Sequence, residues 1–204
     1  MHPTFKRLIA VSIAFSGVIA TAQNSTSRAV IPTMQIGDRW KYEQNDKRTG
    51  IKEAEFIRNI TSVGPSEIEG IENDAKLLLT PELNIIESST ATITGEAKFL
   101  SFPLEVGKKW DSKYSFVVKP SGMKVRWQFE ASVTSIDKIT VPAGEFEAFR
   151  IDYKGYWNND TNGRNGRLKM TSWYSQTTRS IIKSEYEDGY NSNYRQLVEY
   201  QIQP

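Results

Sequence analysis

Residues 123–134 read Met123-Lys124-Val125-Arg126-Trp127-Gln128-Phe129-Glu130-Ala131-Ser132-Val133-Thr134. Apolar side chains hold every odd position, and polar or charged ones hold every even position. An extended backbone places two such sets on opposite faces, whereas a helix would scatter both around its circumference. The stretch therefore predicts a half-buried strand. Pro120-Ser121-Gly122 before it is a turn signal. Tyr114, Phe116 and Val118 align ahead of that turn, so 112–119 and 123–136 form a predicted hairpin. A second hairpin is expected from 146–157 and 167–175. Phe149, Ile151, Tyr153 and Trp157 share one face of its first strand, and Leu168, Met170 and Tyr174 share one face of its second. The connection, Asn158–Gly166, is rich in residues that tolerate positive φ.

The same texture continues along the chain. Further strands are expected at 37–45, 53–63, 66–71, 76–80, 85–94, 96–100, 136–141, 180–187 and 194–202. No ten-residue window carries an apolar stripe of helical period. Many short, closely spaced strands define an all-β fold with an antiparallel, strongly curved sheet, barrel-like or a sandwich, in a single domain at 34–204. Such a sheet must protect its edges, and closure is the complete solution. The alternation itself leaves open whether the sheet closes.

The start of the chain has a different character. Lys6 and Arg7 precede an apolar run from Leu8 to Val18, and Ala20-Thr21-Ala22 follows as a small-x-small cleavage signal. This is the pattern of a secretory signal peptide over 1–22, too short an apolar run to span a bilayer. Residues 23–33 are polar and are read as a flexible lead-in. The expected product is exported, periplasmic or secreted. Gln23 occupies the position where a lipoprotein needs Cys, so the reading is a soluble protein and not a lipoprotein. No later segment reaches transmembrane length.

Removal of the leader changes the chemistry on offer. The whole chain has 26 basic and 24 acidic side chains, one His and no Cys. Losing Lys6 and Arg7 leaves the charges balanced, and losing His2 leaves no histidine. A balanced surface lacks the basic patch that nucleic acid requires. Without His or Cys there is no Ser-His-Asp or Cys-His catalysis and no zinc site of His and Cys ligands. Phosphate-loop and dinucleotide fingerprints are absent, so no cofactor is expected. Asp160 and Asn162 have calcium-loop spacing, but no later Glu completes the loop, and no metal is expected. Enzymatic routes narrow to a carboxylate pair or a Lys, Tyr or Ser dyad. Glu53, Glu55, Asp111, Glu145, Glu147, Asp152, Glu185 and Glu187 supply carboxylates, all at positions that solvated strands commonly fill.

Three local patterns add detail. Val141-Pro142-Ala143-Gly144 has the Pro and Gly placement of a tight turn. Ile36-Gly37-Asp38-Arg39-Trp40 resembles Val106-Gly107-Lys108-Lys109-Trp110, either as two similar strand starts or as a duplicated half-domain. Aromatic residues make up 11% of the chain. They suit strand packing, and they also suit stacking on sugars or lining an apolar cavity. Trp127, in mid-stripe, reads as core. Trp157 and Trp173 flank the Asn-rich connection and, with Tyr153 and Tyr174 beside them in the same hairpin, are the candidate binding residues. No catalytic residue stands out.

Taken in order, Phe102-Pro103-Leu104-Glu105-Val106-Gly107-Lys108-Lys109-Trp110, the string Val141 to Phe149, Trp173-Tyr174 and Ile182-Lys183-Ser184-Glu185 resemble the TapB-like group of exported bacterial proteins, a domain family of unknown function. The resemblance spans most of residues 34–202. That group carries a Trp-Tyr-x-Pro-Gly-x-Gly-x-Val-Lys run. Here the run reads Trp173-Tyr174-Ser175-Gln176-Thr177-Thr178-Arg179-Ser180-Ile181-Ile182-Lys183, without the Pro and both Gly residues. The resemblance implies a β-rich exported domain and brings no catalytic residues. The expected function is non-enzymatic: binding an apolar ligand such as a lipid, a glycan, or a cell-envelope protein. The alternatives are a carboxylate-dependent glycan hydrolase and an envelope component assembled by sheet-edge pairing.

Overall fold

The computed structural model describes residues 27–119 and 121–204, which form strands and no helix. In chain order the strands are β1 (Arg28–Ala29), β2 (Arg39–Asp46), β3 (Lys52–Val63), β4 (Ile68–Glu72), β5 (Ala75–Leu79), β6 (Ile85–Glu87) and β7 (Ala91–Glu96). They continue with β8 (Leu104–Glu105), β9 (Lys109–Val118), β10 (Lys124–Val141), β11 (Gly144–Asn159), β12 (Asn165–Ser175), β13 (Ser180–Glu187) and β14 (Ser192–Gln201). The leader expected at 1–22 lies outside the described residues.

Twelve of these strands close into one antiparallel barrel, in the order β10-β11-β12-β13-β14-β2-β3-β4-β5-β6-β7-β9, with β9 returning to β10. The sheet is thus a barrel and not a sandwich. The decisive stripe lies in β10, where Val125, Trp127, Phe129, Ala131 and Val133 are all buried. Residues directly opposite across a ladder share a face. Val133 therefore sets Ile151, Ser172, Ser184 and Arg195 on the inner face through successive pairings.

Two readings of 123–141 differ from the structure. The strands expected at 123–136 and 136–141 are one strand, with a register shift between Val133 and Ser135 in its pairing with β11. That bulge inverts the inward phase. Beyond it, Ile139, Val141, Phe146 and Ala148 face away from the side that Val133 and Ile151 occupy. They bury against Trp173 and Leu197 in a second apolar cluster. The tip of the hairpin reaches β14, where the Ala143 amide donates to the Leu197 carbonyl (3.2 Å).

Two further expectations change. The strand expected at 85–94 breaks at Ser88–Thr90, where the Ser88 hydroxyl accepts the Ala91 amide (3.3 Å). The strand expected at 96–100 is an inserted segment: Ala97, Leu100 and Phe102 are buried in the core without joining the barrel ladder. Asn84 takes the place of a neighbouring strand there. Its side chain donates to the Leu100 carbonyl and accepts the Leu100 amide, both at 2.8 Å. This segment solves a volume problem. An eight-stranded barrel is just wide enough for its own side chains to fill, and twelve strands enclose more space than that. Phe99 fills part of it, with ring centroids 5.4 Å from Phe129, 5.7 Å from Tyr114 and 6.2 Å from Tyr153.

The lead-in read as flexible at 23–33 is tied down in its described part. Arg28 and Ala29 pair with Glu105 and Leu104, and both Ala29 and Leu104 are fully buried. Apolar Ala29 and Leu104 join the main core cluster, which offsets the ordering of so short a strand. The repeated Gly-x-x-Trp starts share geometry. Gly37 and Gly107 have φ of 92° and 95°, which a side chain would resist. Trp40 donates to the Thr178 carbonyl (2.7 Å), and Trp110 donates to the Lys98 carbonyl (2.8 Å).

Candidate functional site

A cavity of about 210 Å³ remains inside the barrel, bordered by Phe99 where the packed rings end. Its apolar wall includes Met34, Ile60, Leu79, Leu83, Ile85 and Leu100. Trp40 and Tyr42 from β2 border it, as do Met170 and Ser172 from β12 and Ser180 and Ser184 from β13. Alternation explains the arrangement: Trp40 and Tyr42 share a phase in β2, and Phe56, Arg58 and Ile60 share a phase in β3, facing them across the ladder.

The polar part of the wall is cationic. Arg58, Arg179 and Arg195 line the cavity, Lys183 borders it but holds its ammonium over Trp173 on the opposite face, and no carboxylate lines it among the described residues. Three of these cations are engaged. Arg58 donates from Nε to Glu72 (2.5 Å), Arg179 from Nη1 to Asp38 (3.1 Å), and Lys183 pairs with Glu185 (3.0 Å). Arg195 forms no ion pair among the described residues. Its guanidinium donates to the neutral Gln44 amide oxygen (3.2 Å) and lies 3.9 Å from the centroid of the Phe56 ring.

Burial and charge act together on these groups. Burial lowers the Arg195 pKa to about 10, and the Arg58 charge lowers it further in the same direction. Burial raises the Tyr42 pKa, with the Arg58 charge opposing it. Leu83 is the one strained element of the apolar wall: its backbone has φ of 65°, unusual for a branched side chain.

The residues expected from sequence lie elsewhere, and none of the four lines this cavity. Trp157 is 8% exposed and Trp173 is 7% exposed, so both are packed and not part of an open surface. They also belong to different clusters. Trp157 stacks on Trp127 inside the barrel, with centroids 6.4 Å apart. Trp173 faces the opposite side, donates to Asp137 (3.0 Å) and is bordered by Lys183 and Arg150. Tyr153 and Tyr174 are fully buried. The Tyr153 hydroxyl donates to the Phe99 carbonyl (2.7 Å), whereas the Tyr174 hydroxyl meets no partner among the described residues. Tyr153, Trp157 and Tyr174 follow the inward phase, which a barrel encloses, and Trp173 is covered by the second cluster on the other face.

Arg58 and Arg195 escaped notice in the sequence, although a signal was present. Each stands in the apolar phase of its strand, Arg58 between Phe56 and Ile60, and Arg195 two residues before Leu197. The acidic residues weighed as catalytic pairs lie mostly on the outer surface in ion pairs, as with Glu55–Lys41, Glu145–Lys138 and Asp152–Arg150.

No family model and no curated protein matches the chain. Solved structures do. One is a protein from Bacteroides fragilis described as exported and as having a YmcC-like fold, with TM-score 0.60 and 12% identity, covering 85% of this chain and 99% of that one. Another is described as a lipoprotein from Parabacteroides distasonis, with TM-score 0.56 and 13% identity, covering 85% and 99% respectively. The class is therefore an all-β closed barrel of the YmcC-like fold. Its solved counterparts are described as exported proteins or lipoproteins of bacteria.

Proposed function

We propose that the barrel is an exported, non-enzymatic binding domain whose ligand is a small apolar molecule held in the interior cavity. The carrying observation is that cavity: about 210 Å³ of unfilled space, walled mainly by Ile60, Leu79, Leu83, Ile85 and Leu100, inside a barrel that is elsewhere packed. Ligand sites are concave, mostly apolar and provided with a few polar groups. An apolar cavity of about 150 Å³ admits benzene, so this larger one suits a naphthyl-sized ring system or an acyl chain and is too small to enclose a polymer. The absence of a carboxylate from its described wall leaves a glycan hydrolase without its acid pair there.

The leader over 1–22, cleavage after Ala22 and a soluble periplasmic or secreted product belong to the same reading. The order of the TapB-like strings supports a place among those exported proteins. The outer phase of β10 carries Lys124, Arg126, Gln128 and Glu130, which suits water and not the apolar band of a membrane barrel. The test is titration of the protein, purified without detergent, with the neutral fluorophore N-phenyl-1-naphthylamine, alongside native mass spectrometry. Saturable binding of one fluorophore per chain is expected. No binding and no co-purified apolar adduct would overturn the reading, and adducts of sugar oligomers would replace it with a glycan-binding one.

A further inference from the structure

Resting on that reading of the cavity, we infer that its ligand is an anionic amphiphile: an apolar tail against the wall of Ile60, Leu79 and Leu83, and one acidic head group, carboxylate or phosphate, held by Arg195. Four observations converge on Arg195. It is the one cation of the cavity wall without a carboxylate partner among the described residues. Its current partner, the Gln44 amide oxygen, is neutral and leaves guanidinium donors free, since the fork carries five N–H groups. Ser184 stands directly opposite it across the β13–β14 ladder and lines the same cavity. Tyr42, also in the wall, brings a hydroxyl from the adjoining strand.

The charge balance gives the inference its direction. Arg58 lies close enough to depress the Arg195 pKa, and Glu72, which would offset both, is already engaged by Arg58. Two guanidiniums and one carboxylate leave one positive charge facing an apolar space. A half-buried cation without a counter-ion is costly, and an acid head group removes that cost while its tail removes apolar wall from water. A neutral ligand would leave the charge uncompensated, and a cationic one would add to it. The planar guanidinium can meet either a carboxylate or a phosphate through two parallel hydrogen bonds.

The test is competition against bound N-phenyl-1-naphthylamine by four ten-carbon compounds: decanoate, decyl phosphate, decanol and decyltrimethylammonium. Decanoate or decyl phosphate is expected to compete at least ten-fold better than decanol, and the cation to compete worst. The ranking of the two acids identifies which head group is preferred. In Arg195→Gln the advantage of the acids over decanol should disappear while the fluorophore and decanol still bind. Arg195→Lys, which keeps the charge, should retain part of it and guards against a misfolded Gln variant. Equal competition by decanol and the acids, or an advantage that survives in Arg195→Gln, overturns this inference and leaves the apolar-cavity reading standing. Failure of the fluorophore to bind the native protein overturns both.

Discussion

The two halves of the barrel interior solve the same problem differently. Around β9–β12 the surplus width of a twelve-stranded barrel is filled by the inserted segment 97–103 and by rings in contact: Phe99, Phe129, Tyr153, Tyr114, Trp127 and Trp157. Around β2–β6, β13 and β14 the inward positions carry Arg58, Arg195, Ser180 and Ser184 among aliphatic side chains, and space remains. The first half supplies stability through packing. The second half gives some of that up, and the positions that do so carry charge. A fold maintained for stability alone would gain from apolar residues there, since replacing buried charges by well-packed apolar groups is often stabilising.

The sharpest way to break this comparison is to empty the packed half. Phe129 is 1% exposed and touches three rings. Phe129→Ala should lower the unfolding free energy by about 4 kcal/mol in a urea titration. Next comes overfilling. Ala131 is fully buried on the same stripe, and Ala131→Leu should cost about 2–3 kcal/mol. Gly155 belongs with it: an added Cβ would lie 2.6 Å from the Phe129 Cα and closer still to the Gln128 carbonyl oxygen, so Gly155→Ala should cost a similar amount. Adding comparable volume in the hollow half should behave otherwise. Ile60→Phe projects into free space and should change stability by no more than about 1 kcal/mol.

Alkaline titration probes the buried tyrosines, three of which lie in the packed half. Burial raises the pKa of Tyr114, Tyr153 and Tyr174. A tyrosine that keeps its proton longer when folded contributes stability that is complete below about pH 10 and falls as the pH rises beyond it. Stability should therefore decline progressively above about pH 10, and tyrosinate absorbance should rise together with unfolding. The smallest effects distinguish two buried hydroxyls. Tyr153→Phe removes a hydrogen bond to the Phe99 carbonyl and should cost about 1 kcal/mol. Tyr174→Phe removes a hydroxyl without a partner among the described residues, and should leave stability unchanged or slightly raised.

The packed half was also the legible half. The alternation of 123–133 and the phase of Phe149, Ile151 and Tyr153 are local properties of one chain segment, and each survived as an inward stripe. What escaped was non-local. Residues 97–100 carry the composition of a strand, but Leu100 bonds to the Asn84 side chain and Lys98 to the Ser112 hydroxyl and the Trp110 indole, partners chosen by the closed barrel. Arg28–Ala29 and Leu104–Glu105 are too short to alternate, and exist as strands because each pairs with the other. The bulge after Val133 reversed the inward phase of β10, so no fixed period could carry Ile139 and Val141 to their cluster. The cavity was hidden for the same reason. Arg58 and Arg195 lie far apart in the chain, and closure of β14 against β2 and β3 brings their strands together. Tryptophan content drew attention to Trp157 and Trp173, and both were used for packing.

The most direct test of the central claim is the affinity of N-phenyl-1-naphthylamine for the native protein and for Ile60→Phe, with thermal unfolding recorded on both. Loss of at least ten-fold in affinity with the fold and its melting temperature preserved is the expected result, because the new ring occupies the cavity. Undiminished binding by a folded Ile60→Phe variant would contradict the account, since the fluorophore would then be bound somewhere other than inside the barrel.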